Sequence, residues 1–470
     1  NSLLLFVFFR RATSEEGKSF LLAALFAVHP LNVESVAWIS ERKNLLSAFF
    51  FFLGLNLYLN YVRTPSKMNF IKLSVCYLLG LMSKTVLVTF PCGLLLLDVW
   101  PLRRISLSGE IFKNKKNVIY EKLILLIPVP LFSYLTVVAQ QKAEALGSVS
   151  DFPLYQRLAG AVLAYARYIC HFFFPIRLSA LYPHLKDNFS AFSVASIVLL
   201  LAALSAVFLI RLKRHPVFIV GWLWFLGHLL PVLGIIQVGR QASADRYMYI
   251  PIIGLLFILV FGLGEQIRKA YPGTAPWLKG VTLTVIALFL LRSFDQALTW
   301  RDNESLFANM TAVSPDAFEG HYNMGIISAE KGATGEAIKH YTKAIECDPQ
   351  RAEAYNNIGA CHVALDDWGK AYPFFKKAVE LAPGNTEVLF NYALSCKVLG
   401  SNYDAKKALM NVLLIDSRHE MARKKLIEIL SSEGNFDAAL GFAEEGEKLF
   451  PGEADFAAMK KALAEKTNQR

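Results

Sequence analysis

Four polar segments interrupt a chain that is otherwise 54% hydrophobic. They are Ser40-Glu41-Arg42-Lys43-Asn44, Ser83-Lys84-Thr85, Tyr182-Pro183-His184 and the stretch from Arg240 through Asp245 and Arg246 to Tyr247. Each stands beside an apolar run, where charges are costly unless they face a cavity or one another. Arginine and lysine at such a boundary suit a lipid-borne phosphate, Arg as a planar two-pronged fork and Lys as a point charge. Glu34, Glu41 and Asp245 are the carboxylates of the same face. Any one segment also reads as an ordinary solvated loop, and Asp245 beside Arg246 also reads as a structural ion pair. Their gathering at one side of a membrane is what makes a site.

The elements that would gather them are apolar runs at 21–39, 48–61, 123–139, 197–210, 219–236, 250–263 and 281–291, joined by short polar stretches. With 470 residues and a mean hydropathy of +0.37, the chain is too apolar for one soluble domain. From Asp316 onward 19 Lys and Arg stand against 23 Asp and Glu, a net of −4. The first 315 residues then hold 30 against 15, or +15. The basicity therefore belongs to the apolar half and points to phospholipid headgroups or a phosphate-bearing lipid. No soluble basic stripe with interleaved aromatics points to nucleic acid.

Lys and Arg collect at Arg10, Arg11 and Lys18, at Arg63, Lys67 and Lys72, at Arg103 to Lys116, at Arg211 to Arg214, and at Arg268 and Lys269. These joints should be cytoplasmic. The alternation predicts ten crossings if 70–82 and 85–99 each cross and if 155–174, with Arg157, Arg167 and His171 among apolar residues, lies along the outer interface. The repeats and the four polar segments then face away from the cytoplasm, into the periplasm if the membrane is a bacterial inner membrane. Asn1 is not an initiator methionine and residues 1–9 are already apolar, so the chain reads as a fragment that starts inside a transmembrane helix.

After residue 295 the sequence repeats every 34 residues: 318–351, 352–385, 386–419 and 420–453. Gly325, Ala337, Tyr341, Ala344 and Pro349 recur as Gly359, Ala371, Phe375, Ala378 and Pro383. Small residues let two helices approach, an aromatic fills the space between, and Pro ends the second. This resembles the tetratricopeptide repeat. Residues 454–470 read as a capping helix and 296–317 as a connecting half-repeat. The array should bind protein or peptide, with Asn323, Asn356, Asn357 and Asn391 offering amides to an extended backbone. Each of these Asn fits equally well as a local ordering group.

Cys76, Cys92, Cys170, Cys347, Cys361 and Cys396 form no CxxC pair and no metal spacing, and read as small buried residues. His29, followed by Pro30, reads first as a hydrogen-bonded core residue, with Glu34 as its partner or as a cavity residue.

Five motifs together resemble the transmembrane and tetratricopeptide-repeat family of O-mannosyltransferases, in particular its bacterial members. They are the stretch from His29 to Asn44, Ser83-Lys84, the stretch from Leu97-Asp98 to Arg103, Ser179 to Pro183, and Ala244 to Pro251. The resemblance implies an all-α, polytopic membrane domain of the GT-C glycosyltransferase type over residues 1–295, followed by the repeat solenoid. It implies transfer of a sugar, a mannose-like hexose, from a polyprenyl-phosphate donor to a protein outside the cytoplasm. In such enzymes the catalytic acid sits in the first outer loop, upstream of this chain, so the activity of this stretch alone is in question. Transfer needs a carboxylate to take the acceptor's hydroxyl proton and cations to hold the departing phosphate. The cations implied are Arg42, Lys43, Lys84, Arg240 and Arg246, with Lys84 and Arg246 favoured because each abuts an apolar helix end. The carboxylates left are Glu34, Glu41 and Asp245. No cofactor is expected beyond the lipid-linked sugar. A divalent metal fits only with acids outside this stretch, because no HxH, HExxH or DxD pattern occurs in it.

The alternative is a membrane-anchored repeat scaffold without catalysis. A transporter is weaker, because no pair of Gly/Pro-broken helices recurs in matching halves.

Overall fold

Pro30 breaks the first apolar run. It lacks an amide hydrogen and drives the residue before it out of helical geometry, so His29 is extended at φ −71° and ψ 127°. The helix Glu16–Val28 ends there, and the chain resumes through Pro30–Asn32 into Val33–Ala37, bent by 56° from the first arm. The computed structural model describes residues 1–105, 112–142, 153–183, 189–234 and 241–468. It divides into two units, Asn1–Ser314 and Pro315–Arg470. The segment 296–317, expected as a connecting half-repeat, is split by that division.

In the first unit, four described helices are long and apolar enough to cross a bilayer: Ile39–Arg63, Asn117–Lys142, Ala191–Ile210 and Pro276–Leu298. The bent pair makes a fifth if counted as one span, and shorter apolar helices cover Thr85–Val99 and Pro216–Val232. Ten crossings therefore require helices shorter than the ~20 residues of a perpendicular span. Ala191–Ile210 buries no side chain, and Phe192, Leu199 and Ile210 stand open. Such a surface suits hydrocarbon, which makes this an integral membrane unit.

Two glycines fix the helices beneath the site. A Cβ on Gly221 would lie 2.4 Å from the Gly254 carbonyl oxygen, and one on Gly254 2.3 Å from that of Gly221. Pro216–Leu229 and Ile252–Phe257 thus meet backbone to backbone, as small residues allow in membranes. Trp224 Nε1 donates to the Ile250 carbonyl at 3.1 Å across the same contact. The one small sheet among the described residues pairs Tyr182–Pro183 antiparallel with Gln241–Ser243, setting Tyr182 opposite Ser243. At the other end of Arg42–Arg63, fully buried Asp98 accepts from the Tyr58 hydroxyl at 2.6 and 2.7 Å, with Lys122 and Arg104 as its cations.

The second unit is four helix pairs and a terminal helix. The pairs are Phe318–Glu330 with Thr334–Cys347, Ala352–Ala364 with Trp368–Leu381, Thr386–Val398 with Asn402–Ile415, and Glu420–Ser432 with Phe436–Leu449, followed by Ala454–Asn468. Between the helices of each pair one residue takes left-handed backbone: Gly332 (φ 74°), Asp366 (58°), Gly400 (86°) and Gly434 (75°), each 34 residues after the last. Ala337, Ala371, Ala405 and Ala439, also 34 apart, are fully buried. A Cβ on Gly325 would lie 2.5 Å from the Tyr341 ring, and one on Gly359 2.6 Å from the Phe375 ring. The small and aromatic positions seen in the sequence are therefore contact partners.

Candidate functional site

Arg246 lies in the short turn Asp245–Met248 that follows the second strand. It reaches the helix Val33–Ala37, where Glu34 receives it twice: Nη1 donates to Oε1, and the backbone N–H donates to Oε2 at 2.7 Å. Nε lies 3.5 Å from Glu41 Oε1, and the guanidinium carbon is 5.1 Å from the ring centres of both Trp38 and Tyr247. Asp245 points elsewhere. It accepts from the Tyr182 hydroxyl at 3.0 Å and lies 3.8 Å from His171 Nδ1, while Arg167 sits over the Tyr182 ring and donates to Ser243 Oγ at 2.6 Å. Neighbours in a 3₁₀ turn point about 120° apart, so Asp245 and Arg246 serve different groups. The reading of the two as one structural ion pair is corrected on this geometry. Burial raises the Asp245 carboxyl above its ordinary value, against the opposing pull of His171, Tyr182 and Arg167.

Lys84 caps the helix Lys67–Ser83 in extended backbone and leans back over Arg42–Arg63. Its Nζ donates to Glu41 Oε2 at 3.1 Å and to Asn44 Oδ1 at 3.3 Å. Asn44 in turn donates to Ser35 Oγ at 3.1 Å and to the Arg246 carbonyl at 3.3 Å. Burial draws the Lys84 ammonium below its ordinary value, although the Glu41 carboxylate opposes this. Glu34, Glu41, Lys84 and Arg246 thus form one network of two anions and two cations. An ammonium has three hydrogens and a guanidinium five, so these contacts leave both cations with donors to spare. Lys84 and Arg246 also line one solvent-open cleft, with Asn44, Thr89 and His228 as polar neighbours and Val86, Val232, Ile250 and Pro251 as its apolar wall.

The other expected site residues fall as follows. Arg42 and Lys43 are exposed on the first turn of Arg42–Arg63. Arg240 and His184 lie outside the described residues. His29 is buried, accepts from the Leu31 N–H at Nδ1 (3.2 Å), and holds Nε2 3.0 Å from the Phe172 carbonyl. Both ring nitrogens are therefore engaged, as in the core-residue reading. Glu34 is the partner of Arg246, not of His29.

His228 was not singled out from sequence, where it is a lone histidine in an apolar run. Nδ1 lies 3.0 Å from the Trp224 carbonyl, and Nε2 is buried without a partner. Among the described residues no three His, Cys, Asp or Glu side chains converge as metal ligands.

In the repeats, Asn391 donates to Asn356 at 2.9 Å, and Asn356 donates to Glu387 at 3.3 Å, which links two successive pairs. Asn357 donates to the Tyr322 hydroxyl at 3.3 Å. Asn323 donates to the Glu319 carbonyl of its own helix at 2.7 Å, the ordering role weighed for it.

A membrane unit with a charged cleft, followed by helix-pair repeats, defines an integral membrane protein of the tetratricopeptide-repeat class. The tetratricopeptide-repeat family matches residues 327–366 and 352–385. The chain is 25% identical to the protein O-mannosyl-transferase TMTC1 of Homo sapiens over 391 residues, 72% of this chain and 43% of that one. It is 26% identical to TMTC1 of Mus musculus over 159 residues (34% and 17% of the two chains) and 31% identical to TMTC4 of Homo sapiens over 98 residues (21% and 13%). The homologues of this chain are thus TMTC-family protein O-mannosyltransferases. The chain spans less than half the length of these relatives. Among solved structures, MamA is 20% identical with a TM-score of 0.31, covering 32% of this chain and 82% of that one. YrrB, titled a TPR protein with an unusual peptide-binding site, is 18% identical with a TM-score of 0.31, covering 42% and 97%.

Proposed function

We propose that this chain belongs to a GT-C-type membrane glycosyltransferase that moves a mannose-like hexose from a polyprenyl phosphate to a protein hydroxyl outside the cytoplasm. Residues 1–295 would be the membrane domain, 318–453 the repeats that recruit the acceptor, and 454–470 their cap. The observation that carries this reading is the cleft that Lys84 and Arg246, both with hydrogen-bond donors left over, line together with apolar residues. Phosphate wants such donors and a lipid tail wants such a wall.

In the reaction the acceptor oxygen bonds to the anomeric carbon as the bond from that carbon to the phosphate oxygen breaks. The phosphate leaves with the electron pair, and the hydroxyl proton passes to a carboxylate. Cations held in advance at the leaving oxygen lower the barrier because they need no reorganisation as charge develops. Both oxygens of Glu34 and of Glu41 are already engaged, those of Glu34 by the guanidinium and the backbone N–H of Arg246 and those of Glu41 by Lys84 and Arg246, so we assign them to positioning Lys84 and Arg246. Exposed Arg42 and Lys43 would attract the anionic donor, and Asp245 is the candidate carboxylate left to take the proton.

The balance of two anions against two cations favours a second reading, in which the network is a joint in a non-catalytic scaffold. Labelled mannose transfer from polyprenyl-phosphate mannose to membrane protein decides between them. The enzyme reading expects transfer by the full-length protein and its loss in Lys84→Ala. Absence of transfer at saturating donor leaves the scaffold.

A further inference from the structure

Among the described residues that line the cleft, His228 alone has a buried side-chain nitrogen or oxygen without a partner. The Trp224 carbonyl beside Nδ1 can only accept, so Nδ1 carries the ring hydrogen and Nε2 of the neutral ring presents a lone pair. The ring is clamped between Trp224 and Phe51, with centroids at 4.3 and 5.6 Å. Its outer edge faces Gly93, where an added Cβ would lie 3.0 Å from both Cε1 and Nε2. The glycine at 93 therefore keeps that edge clear of any side chain. A buried acceptor without a donor is destabilising, and such groups call for a missing ligand or water.

The chemistry of the donor can be narrowed. A phosphate ester oxygen offers a lone pair and would repel Nε2, and a polyprenyl tail offers nothing. A sugar hydroxyl donates. The cleft's own hydroxyls do not supply it: Tyr249 accepts from Asn1 at 3.2 Å, Tyr247 accepts from Gln241 at 3.1 Å, Thr89 donates to the Val86 carbonyl at 3.2 Å, and none of them is a hydrogen-bond partner of Nε2. We infer that His228 Nε2 accepts a hydrogen bond from a hydroxyl of the sugar on the phosphate-bound ligand, making His228 a sugar-discriminating residue. This rests on the reading that Lys84 and Arg246 hold the lipid phosphate.

The test is binding of two probes, polyprenyl-phosphate mannose and bare polyprenyl phosphate, to the full chain in nanodiscs. His228→Phe fills the same space without an acceptor. It should weaken the mannose-bearing lipid about 5- to 10-fold and leave the bare lipid unchanged. His228→Gln, whose Oε1 stands near the place of Nε2, should recover most of the loss. Gly93→Ala keeps the histidine but crowds its edge, and should mimic His228→Phe. An equal loss for both lipids, or no loss for either, in variants with an unchanged thermal melt overturns the assignment. Lys84→Ala, run in parallel, should weaken both probes. If it weakens neither while His228→Phe still costs only the mannose-bearing lipid, the phosphate reading falls and the role of His228 stands.

Discussion

Arg246→Ala should cost far more than the loss of one surface charge, and a second substitution should restore part of it. Glu34 and Glu41 are 2% and 4% exposed, and Arg246 answers both. Removing one partner of a buried pair strands the other charge and costs about 3–5 kcal/mol. The contacts with Trp38 and Tyr247 add roughly 0.5–1 kcal/mol each, so a loss of about 4 kcal/mol or more is expected. Glu34→Gln in the Arg246→Ala background removes the stranded anion yet keeps an oxygen for the backbone N–H of position 246. It should recover about 1–2 kcal/mol, although Glu34→Gln alone destabilises. Denaturant unfolding in micelles, followed by tryptophan fluorescence, reads mainly the first unit because Trp368 is the only tryptophan of the second. A double variant less stable than Arg246→Ala, by the full cost of Glu34→Gln, would refute the coupled network.

Three further outcomes follow. Residues 315–470 alone should give a monomeric, helical product with a cooperative melt, because each pair buries its own alanine, Ala337, Ala371, Ala405 and Ala439; an aggregated product contradicts this. In that product Gly359→Ala should cost about 1–3 kcal/mol, since the new Cβ meets the Phe375 ring at 2.6 Å; an unchanged melt contradicts the packing. Because burial lowers the Lys84 pKa from 10.5, a growing share of Lys84 becomes neutral as pH rises toward that value. Affinity for polyprenyl phosphate should then fall as pH rises toward 10.5, beginning below the range of an ordinary lysine, and fall less in Lys84→Arg; an affinity that climbs with pH contradicts the role of Lys84.

Periodic features were the readable ones. The 34-residue spacing announced the helix pairs, and the structure adds that Asp366 takes the left-handed turn position that glycine holds in the other three units. The polar segments announced a shared polar face, since charge beside hydrocarbon is costly unless it meets a partner, and the structure brings them into contact. Pairing within that face was not legible. Arg246 finds Glu34 from 212 residues away, not the adjacent Asp245, because backbone turn geometry decides which way each side chain leaves. The Tyr58, Asp98 and Lys122 cluster joins residues 40 and 64 apart, and its one sequence signal is an aspartate at the end of an apolar run. His228 gave no signal at all, because its unpartnered nitrogen is visible only once Gly93, Trp224 and Phe51 surround it.

The phosphate assignment stands or falls on direct binding of polyprenyl phosphate to the full-length protein, compared with Lys84→Ala and Arg246→Lys. Truncating a buried partner of a phosphate costs about 2–5 kcal/mol. Lys84 shares its charge with Glu41, so the low end applies, or roughly 30-fold in Kd. Arg246→Lys should weaken binding as well, since an ammonium cannot reach Glu34 and the phosphate with the fork of a guanidinium. Wild-type affinity in both variants, with the protein folded and inserted, would contradict the account and leave the charged network as a joint of the fold.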